Sequence, residues 1–231
     1  MKKSPFIWLG AGRAKKRGVA RCGRQLDEVA RAGLPVPEGA ILLDELFRIF
    51  LQEGVVEQIG DRVVVPDPIW LLEVLYRDVR FPRLGTTADI RAIPPDGFDG
   101  RLLPDAVTRG VDLEDADQVA GALRKAWSSL AQEDDLRCDV LLMKQLLAEM
   151  TGSALLSRDG DADEITVFSG GGEEMFSLPH LGRWQRPSPE LPPYARRLQM
   201  LLRGVRRTLG KGDWGFDWVD DGEVCWIQLF N

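Results

Sequence analysis

Histidine is almost missing from this chain of 231 residues. Its one copy, His180, sits in "SLPHLGRW" with no acid at triad spacing, so little supports a nucleophilic role for it. Cysteine is scarce as well. Cys22, Cys138 and Cys225 are far apart, odd in number and free of any C-x-x-C pattern, which argues against a disulfide framework and against a zinc site. The expected compartment is therefore the cytoplasm. No apolar run approaches the roughly 18 residues of a membrane helix, and "PFIWLGAG" behind Lys2 and Lys3 is too short for a secretory core with a cleavage site. Positive charge is also in deficit. Thirty Lys and Arg face 36 acids, and the net charge of -6 gives no electrostatic reason to expect nucleic acid or an anionic membrane as partner. The local exception, Lys2, Lys3, Arg13, Lys15, Lys16 and Arg17, reads as a solvated face or a phosphate-friendly loop. "WLGAG" and "SGGGEE" lack the strand–turn–helix setting and spacing of dinucleotide or Walker fingerprints.

Hydrophobic residues make up 44% of the chain, enough to bury the core of one large domain or two small lobes. Leu26, Val29 and Ala30 predict a helix from about Arg24 to Ala32, ended by Gly33. Pro35 and Pro37 then force an extended exit into a short buried strand at Ile41 to Leu43. Asp44 is placed to cap "ELFRIFLQE", with Gly54 stopping it, and Asp67 to cap "PIWLLEVLY" with Pro68 in the first helical position. From Arg80 to Gly110 no period is sustained, and the Pro/Gly-rich stretch reads as a long functional or mobile loop. Val119, Leu123, Ala126, Trp127 and Leu130 stripe a core helix from about Asp115 to Ala131. "DVLLM", "GSALLS" and "EITVFS" follow as strands, then an amphipathic helix from Tyr194 to Leu209 and a terminal hairpin. Helices and strands without regular βαβ alternation indicate an α+β fold.

"LDEVARAGLPVPEGAIL" resembles the N-terminal signature of the nucleotide-binding domain of phosphoenolpyruvate synthase and pyruvate phosphate dikinase, G-G-K-G-x-x-L-x-E-M-x-x-x-G-L-P-V-P-x-G. Other pieces follow in that family's order over nearly the whole chain. "DVR" is similar to the V-R-S-S strand end, with Arg80 as its phosphate-contacting arginine but Phe81 and Pro82 in place of the serines. "GFDGR" is similar to the S-F-A-G-Q turn over the phosphates, with Arg101 for the glutamine. "DVLLMKQLLAEMTGSALLSRD" resembles the family's V-V-V-Q-x-M-V-x-A-E-x-S-G strand pair, which puts Gln145, Leu146 and Glu149 on the adenine side and Lys144, one residue after the place of the family's glutamine, here Met143, within reach of phosphate. "ITVFSGGGEEM" resembles I-E-A-S-W-G-L-G-E, with Glu173 near the nucleotide sugar and Thr166 where another glutamate belongs. Cys22 replaces the lysine of the Gly-rich turn, whose charge Arg21 or Arg24 could supply. The resemblance implies an ATP-grasp-like α+β architecture of two lobes, 1–110 and 111–231, with mostly antiparallel sheets, flanking helices and ATP bound between the lobes.

The terminal hairpin can be read without the family. A two-residue Asp221-Gly222 turn pairs Asp220 with Glu223, so Asp217 stands opposite Trp226 and diagonal to Gln228 on one face. A carboxylate and an amide oxygen there suit a hard ion such as Mg²⁺, which takes few protein ligands. The same residues fit equally the polar outer face of a hairpin. By resemblance, Asp217 and Gln228 correspond to magnesium ligands near the β and γ phosphates, whereas the acid two residues upstream is Gly215 and an expected arginine is replaced at about Phe230.

Two functions follow. One is a catalytically degenerate ATP-grasp protein, sensing nucleotide or engaging a protein partner. The other is an ATP-dependent phosphotransferase, delivering phosphoryl to a histidine on a partner, in which Arg80, Arg101 and Lys144 neutralise phosphate charge. The missing lysine, serines, glutamate, upstream acid and arginine favour the first.

Overall fold

Two runs of wholly buried residues, Gly39–Leu42 and the start of Val140–Lys144, lie at the centre of a first sheet. The computed structural model describes residues 4–81, 83–97, 107–130, 137–170, 172–210 and 212–230. The strands are β1 (Phe6–Trp8), β2 (Gly39–Leu42), β3 (Glu57–Ile59), β4 (Arg62–Val64), β5 (Thr87–Ala92), β6 (Val107–Asp112), β7 (Val140–Lys144), β8 (Met150–Leu156), β9 (Ala162–Ser169), β10 (Gly172–Pro179), β11 (Trp214–Asp220) and β12 (Cys225–Phe230). The helices are α1 (Arg21–Arg31), α2 (Asp44–Glu53), α3 (Pro68–Val74), α4 (Ala116–Leu130) and α5 (Pro193–Leu209). Helices beside antiparallel sheets make this an α+β fold.

The chain divides into two compact units, residues 1–23 with 38–145, and residues 24–37 with 146–231. This differs from lobes at 1–110 and 111–231. Residues 111–145 hold α4 and β7, whose partners β2 and β5 belong to the first unit, while Pro35 accepts a hydrogen bond from Ile227 N–H in the second.

The first unit carries the sheet β1-β2-β7-β5-β6, antiparallel throughout, and the separate ribbon β3-β4. α4 lies along β5 and β6 and beside α3. Trp127, 1% exposed, packs against Phe47 and Phe50 of α2, at ring-centroid distances of 5.3 and 6.2 Å. The expected long loop from Arg80 to Gly110 is corrected here, because it contains β5 and the start of β6. Their apolar content is thin, and Ala88, Ile90 and Ala92 become core only through pairing with Lys144, Leu142 and Val140 of β7.

Caps follow local chemistry with one exception. The Asp67 carboxylate accepts the Trp70 N–H at 3.0 Å, with Pro68 behind it. Gly33 and Gly54, both at positive φ, end α1 and α2. Asp44 does not cap α2: Leu43 holds that position. The Asp44 carboxylate accepts Cys138 N–H and Arg48 Nε, while Asp139 Oδ1 accepts the Asp44 N–H at 2.8 Å. The cap comes from a residue 95 positions away.

The second unit is built on β10-β9-β8-β11-β12, again antiparallel. Buried residues alternate along β8, β9 and β11, so one face forms the core and the other is open. Trp218, 1% exposed, lies on the core face over Gly152, where a Cβ would come within 2.6 Å of its ring. Only glycine fits there. β10 is a strand that periodicity does not predict, since nearly all of it is exposed.

Candidate functional site

The register of the second sheet fixes which side chains share its open face. Met175, Thr166, Ser153, Asp217 and Leu229 are successive cross-strand partners over five strands. Glu173, Phe168, Thr151, Val219 and Trp226 form the neighbouring row. Residues that alternate with them along the strands, among them Ile165, Val167, Phe216 and Trp218, belong to the buried face. Asp217 therefore stands beside the hydroxyls of Ser153 and Thr166. Met175, 70% exposed, and Phe168, 43% exposed, leave an apolar floor toward β10.

The hairpin register differs from the expected one. Asp220 pairs with Cys225, so residues 221–224 form the turn. The cause lies in Asp221, whose Oδ1 accepts the N–H groups of Glu223 and Val224 and whose Oδ2 accepts Trp226 Nε1 at 2.7 Å. These contacts favour the longer turn. A bulge next to Asp217 then leaves Gln228 between Ile227, opposite Trp218, and Leu229, opposite Asp217. Asp217 faces Leu229 rather than Trp226, and Gln228 is 7% exposed. Glu173 and Asp217 lie three strands and one row apart, about 15 Å at a strand spacing of about 4.8 Å. Such a separation is too large for the two carboxylates to share one ion.

Among the described residues, no cluster of three His, Cys, Asp or Glu could hold a metal. The donors at Asp217 nevertheless suit Mg²⁺, which accepts one or two carboxylates and takes its other oxygens from water and phosphate. Asp217 would supply the charge and Gln228 an amide oxygen.

In the first unit, Lys144 ends β7 with an exposed side chain while its N–H donates to Glu38 O at 2.8 Å. Gln145 follows with its amide nitrogen 3.0 Å from where Gly110 would carry a Cβ. Arg80 is exposed and, among the described residues, is alone in having positive φ without being glycine, at 58°. It closes a π-helical turn, Leu75–Val79, and not the strand end that "DVR" suggested; burial of Leu75 and Phe81 draws the backbone round. Arg101 lies outside the described residues. Arg24 lies in α1, and Leu146 opens the polypeptide stretch before β8 in the second unit.

Three positions where the resemblance expects polar or charged groups turn inward instead. Cys22 is 7% exposed, and its Sγ–H donates to Pro94 O at 3.7 Å. Burial raises its pKa from 9.0 to about 11, so it is a neutral thiol at physiological pH. Phe81, 3% exposed, meets Tyr76 edge to face, and Phe230, fully buried, packs on Phe216 with centroids 5.5 Å apart.

His180 was expected to lack an acid, and the structure supplies one. Its Nε2 lies 3.0 Å from Asp163 Oδ1 and 2.7 Å from Arg206 Nη2, and Arg206 also donates to Asp163. Nε2 donates to the acid or accepts from the arginine according to tautomer. Burial raises the Asp163 pKa, opposed by Arg206 and His180. Seventeen residues separate the acid from the histidine, and only the antiparallel β9-β10 pairing joins them.

No protein-family model matches the chain, and no curated protein matches it. Solved structures do. The D-alanine–D-alanine ligase of Bacillus anthracis complexed with ATP is 12% identical at a TM-score of 0.48, covering 96% of this chain and 55% of the ligase. The VanG D-Ala:D-Ser ligase of Enterococcus faecalis is 12% identical at 0.48, covering 97% and 61%. The ATP-grasp ligase PsnB, complexed with a minimal precursor, is 14% identical at 0.42, covering 96% and 54%. The chain thus spans about half the length of these proteins.

Proposed function

We propose that this protein is an ATP-grasp-like nucleotide-binding module that holds Mg·ATP without efficient turnover, acting as a nucleotide sensor or through a protein partner. Two observations carry this reading together: Cys22, Phe81 and Phe230 turn inward, and the open face of the second unit keeps Asp217, Ser153 and Thr166 in one row. Positions that would stabilise a phosphoryl transition state have been given to the core. Each such cation or donor contributes about 10²-fold or more in rate, so losing several together removes most catalysis while leaving surface for a ligand. Asp217 and Gln228 are assigned to the ion, and Glu173 with the apolar Phe168 and Met175 to the remote end of the nucleotide. Arg24, Arg80, Arg101, Lys144, Gln145 and Leu146 are assigned to the nucleotide on the sequence resemblance alone.

Bound Mg²⁺ would neutralise phosphate charge. Asp217 would orient it, and the hydroxyls of Ser153 and Thr166 would donate to phosphate oxygens. Calorimetry with ATP and Mg²⁺ tests the assignment. Wild type is expected to bind, and Asp217→Ala to weaken Mg²⁺-dependent binding about tenfold or more, the loss of one charged ligand. No binding by wild type overturns the reading. Release or transfer of the γ-phosphoryl group at an enzymatic rate would instead establish the phosphotransferase.

A further inference from the structure

The second unit contains a cavity of about 730 Å³ that the nucleotide reading does not use. Its walls include Arg158, His180, Arg183, Arg203, Arg206 and Arg207, drawn from the β8–β9 turn, the segment after β10, and α5. It belongs to the core side of the sheet, because Asp163, which anchors Arg206 and His180, alternates with the open-face residues of β9. Asp217 faces the opposite way.

Five guanidinium groups line one concavity in a chain whose net charge is -6. The acids in the wall are Asp159 and Asp161, and Asp159, 92% exposed, lies 4.0 Å from Arg158. Two arginines are fixed in place by the protein. Arg206 donates to Ser157 O at 3.0 Å and to Asp163, and Arg203 Nη1 donates to Gln185 O at 2.9 Å and Gly182 O at 3.3 Å. Arg183 and Arg207 are exposed and form no ion pair among the described residues, although Arg183 lies 5.2 Å over the Trp184 ring. Like charges gathered this closely repel unless an anion joins them.

We infer that this cavity binds a small phosphoryl-bearing anion. The volume is that of a small-molecule site. Guanidinium groups recognise phosphate and carboxylate alike, but here they converge from three chain segments, which suits a tetrahedral group with three outward oxygens better than a flat carboxylate with two. Arg203 and Arg206 form a preset floor. Arg183 and Arg207 close on the anion when it arrives.

The test is calorimetry without Mg²⁺, using sodium pyrophosphate as probe and citrate as a separate arm. Wild type and Asp217→Ala are expected to bind pyrophosphate alike, with affinity falling as salt rises. The double variant Arg183→Ala/Arg207→Ala is expected to lose about tenfold or more. Both arginines are exposed, and an unchanged thermal midpoint verifies that the variant folds. No pyrophosphate binding by wild type, or equal binding by the double variant, overturns the site. Citrate binding as tightly as pyrophosphate overturns the phosphoryl assignment. Loss in Asp217→Ala alone would place the probe on the open face and overturn the cavity as its site. Failure of Mg·ATP binding leaves this result untouched.

Discussion

The two five-stranded sheets use their faces differently. In the first unit β2 and the body of β7 are buried on both sides: Leu42, Ala88, Ile90 and Leu142 join the aromatic core of α2 and α4, while Ile41, Leu141 and Met143 are equally inaccessible on the reverse. In the second unit only one face is closed, and Leu155, Phe168 and Met175 remain 43–70% exposed on the other. A sheet covered on both sides is committed to stability. One with a free face carries polar side chains such as Asp217 and Glu173 outside the core.

Mutations that probe each sheet should break this contrast if it is false. The largest effect is expected from Trp127→Ala in the first unit, a loss of about 3–5 kcal/mol in chemical denaturation, because a cavity opens between α4 and α2. A loss under about 1 kcal/mol would show that core to be loosely packed. Next, Asp139→Ala removes the α2 cap and leaves Arg137 without its partner. We expect about 2–3 kcal/mol, below the cost for a fully buried pair because Arg137 is 36% exposed.

Cys22 supplies a pH test. Its folded pKa is raised above its unfolded value, so the folded state holds the proton more tightly and its stabilisation is intact below about pH 9. That contribution declines as pH climbs toward about 11, on the order of 3 kcal/mol in all. Comparing denaturation at a series of alkaline pH values, Cys22→Ala should show a shallower decline than wild type; parallel slopes would contradict it. The smallest effect belongs to the open face. Met175→Thr should alter stability by no more than about 0.5 kcal/mol, and a larger loss would mean that this face carries packing after all.

Local signals in the sequence located most helices. The Asp67 cap with Pro68, the glycines closing α1 and α2, and the apolar stripe of α4 are each decided within one or two turns of chain. β10 and the pair β5 and β6 were not legible. An exposed edge strand such as "GEEMFSLP" has no buried alternation to reveal it, and the segment around β5 gains its core residues only by lying beside β7. The hairpin register missed for a different reason, since Asp221 could have been read as a turn-forming side chain holding residues 223 and 224.

By itself, the sequence determined the α+β class, most helix ends and the uncharged side chains at Cys22, Phe81 and Phe230, because propensity, capping and residue identity act over a few residues. Tertiary structure alone decided that those three side chains face the core, that Asp217 stands in a row with Ser153 and Thr166, and that His180 meets Asp163 and Arg206. Those relations depend on which strands pair and in what register, and pairing free energy is summed over contacts far apart in the chain.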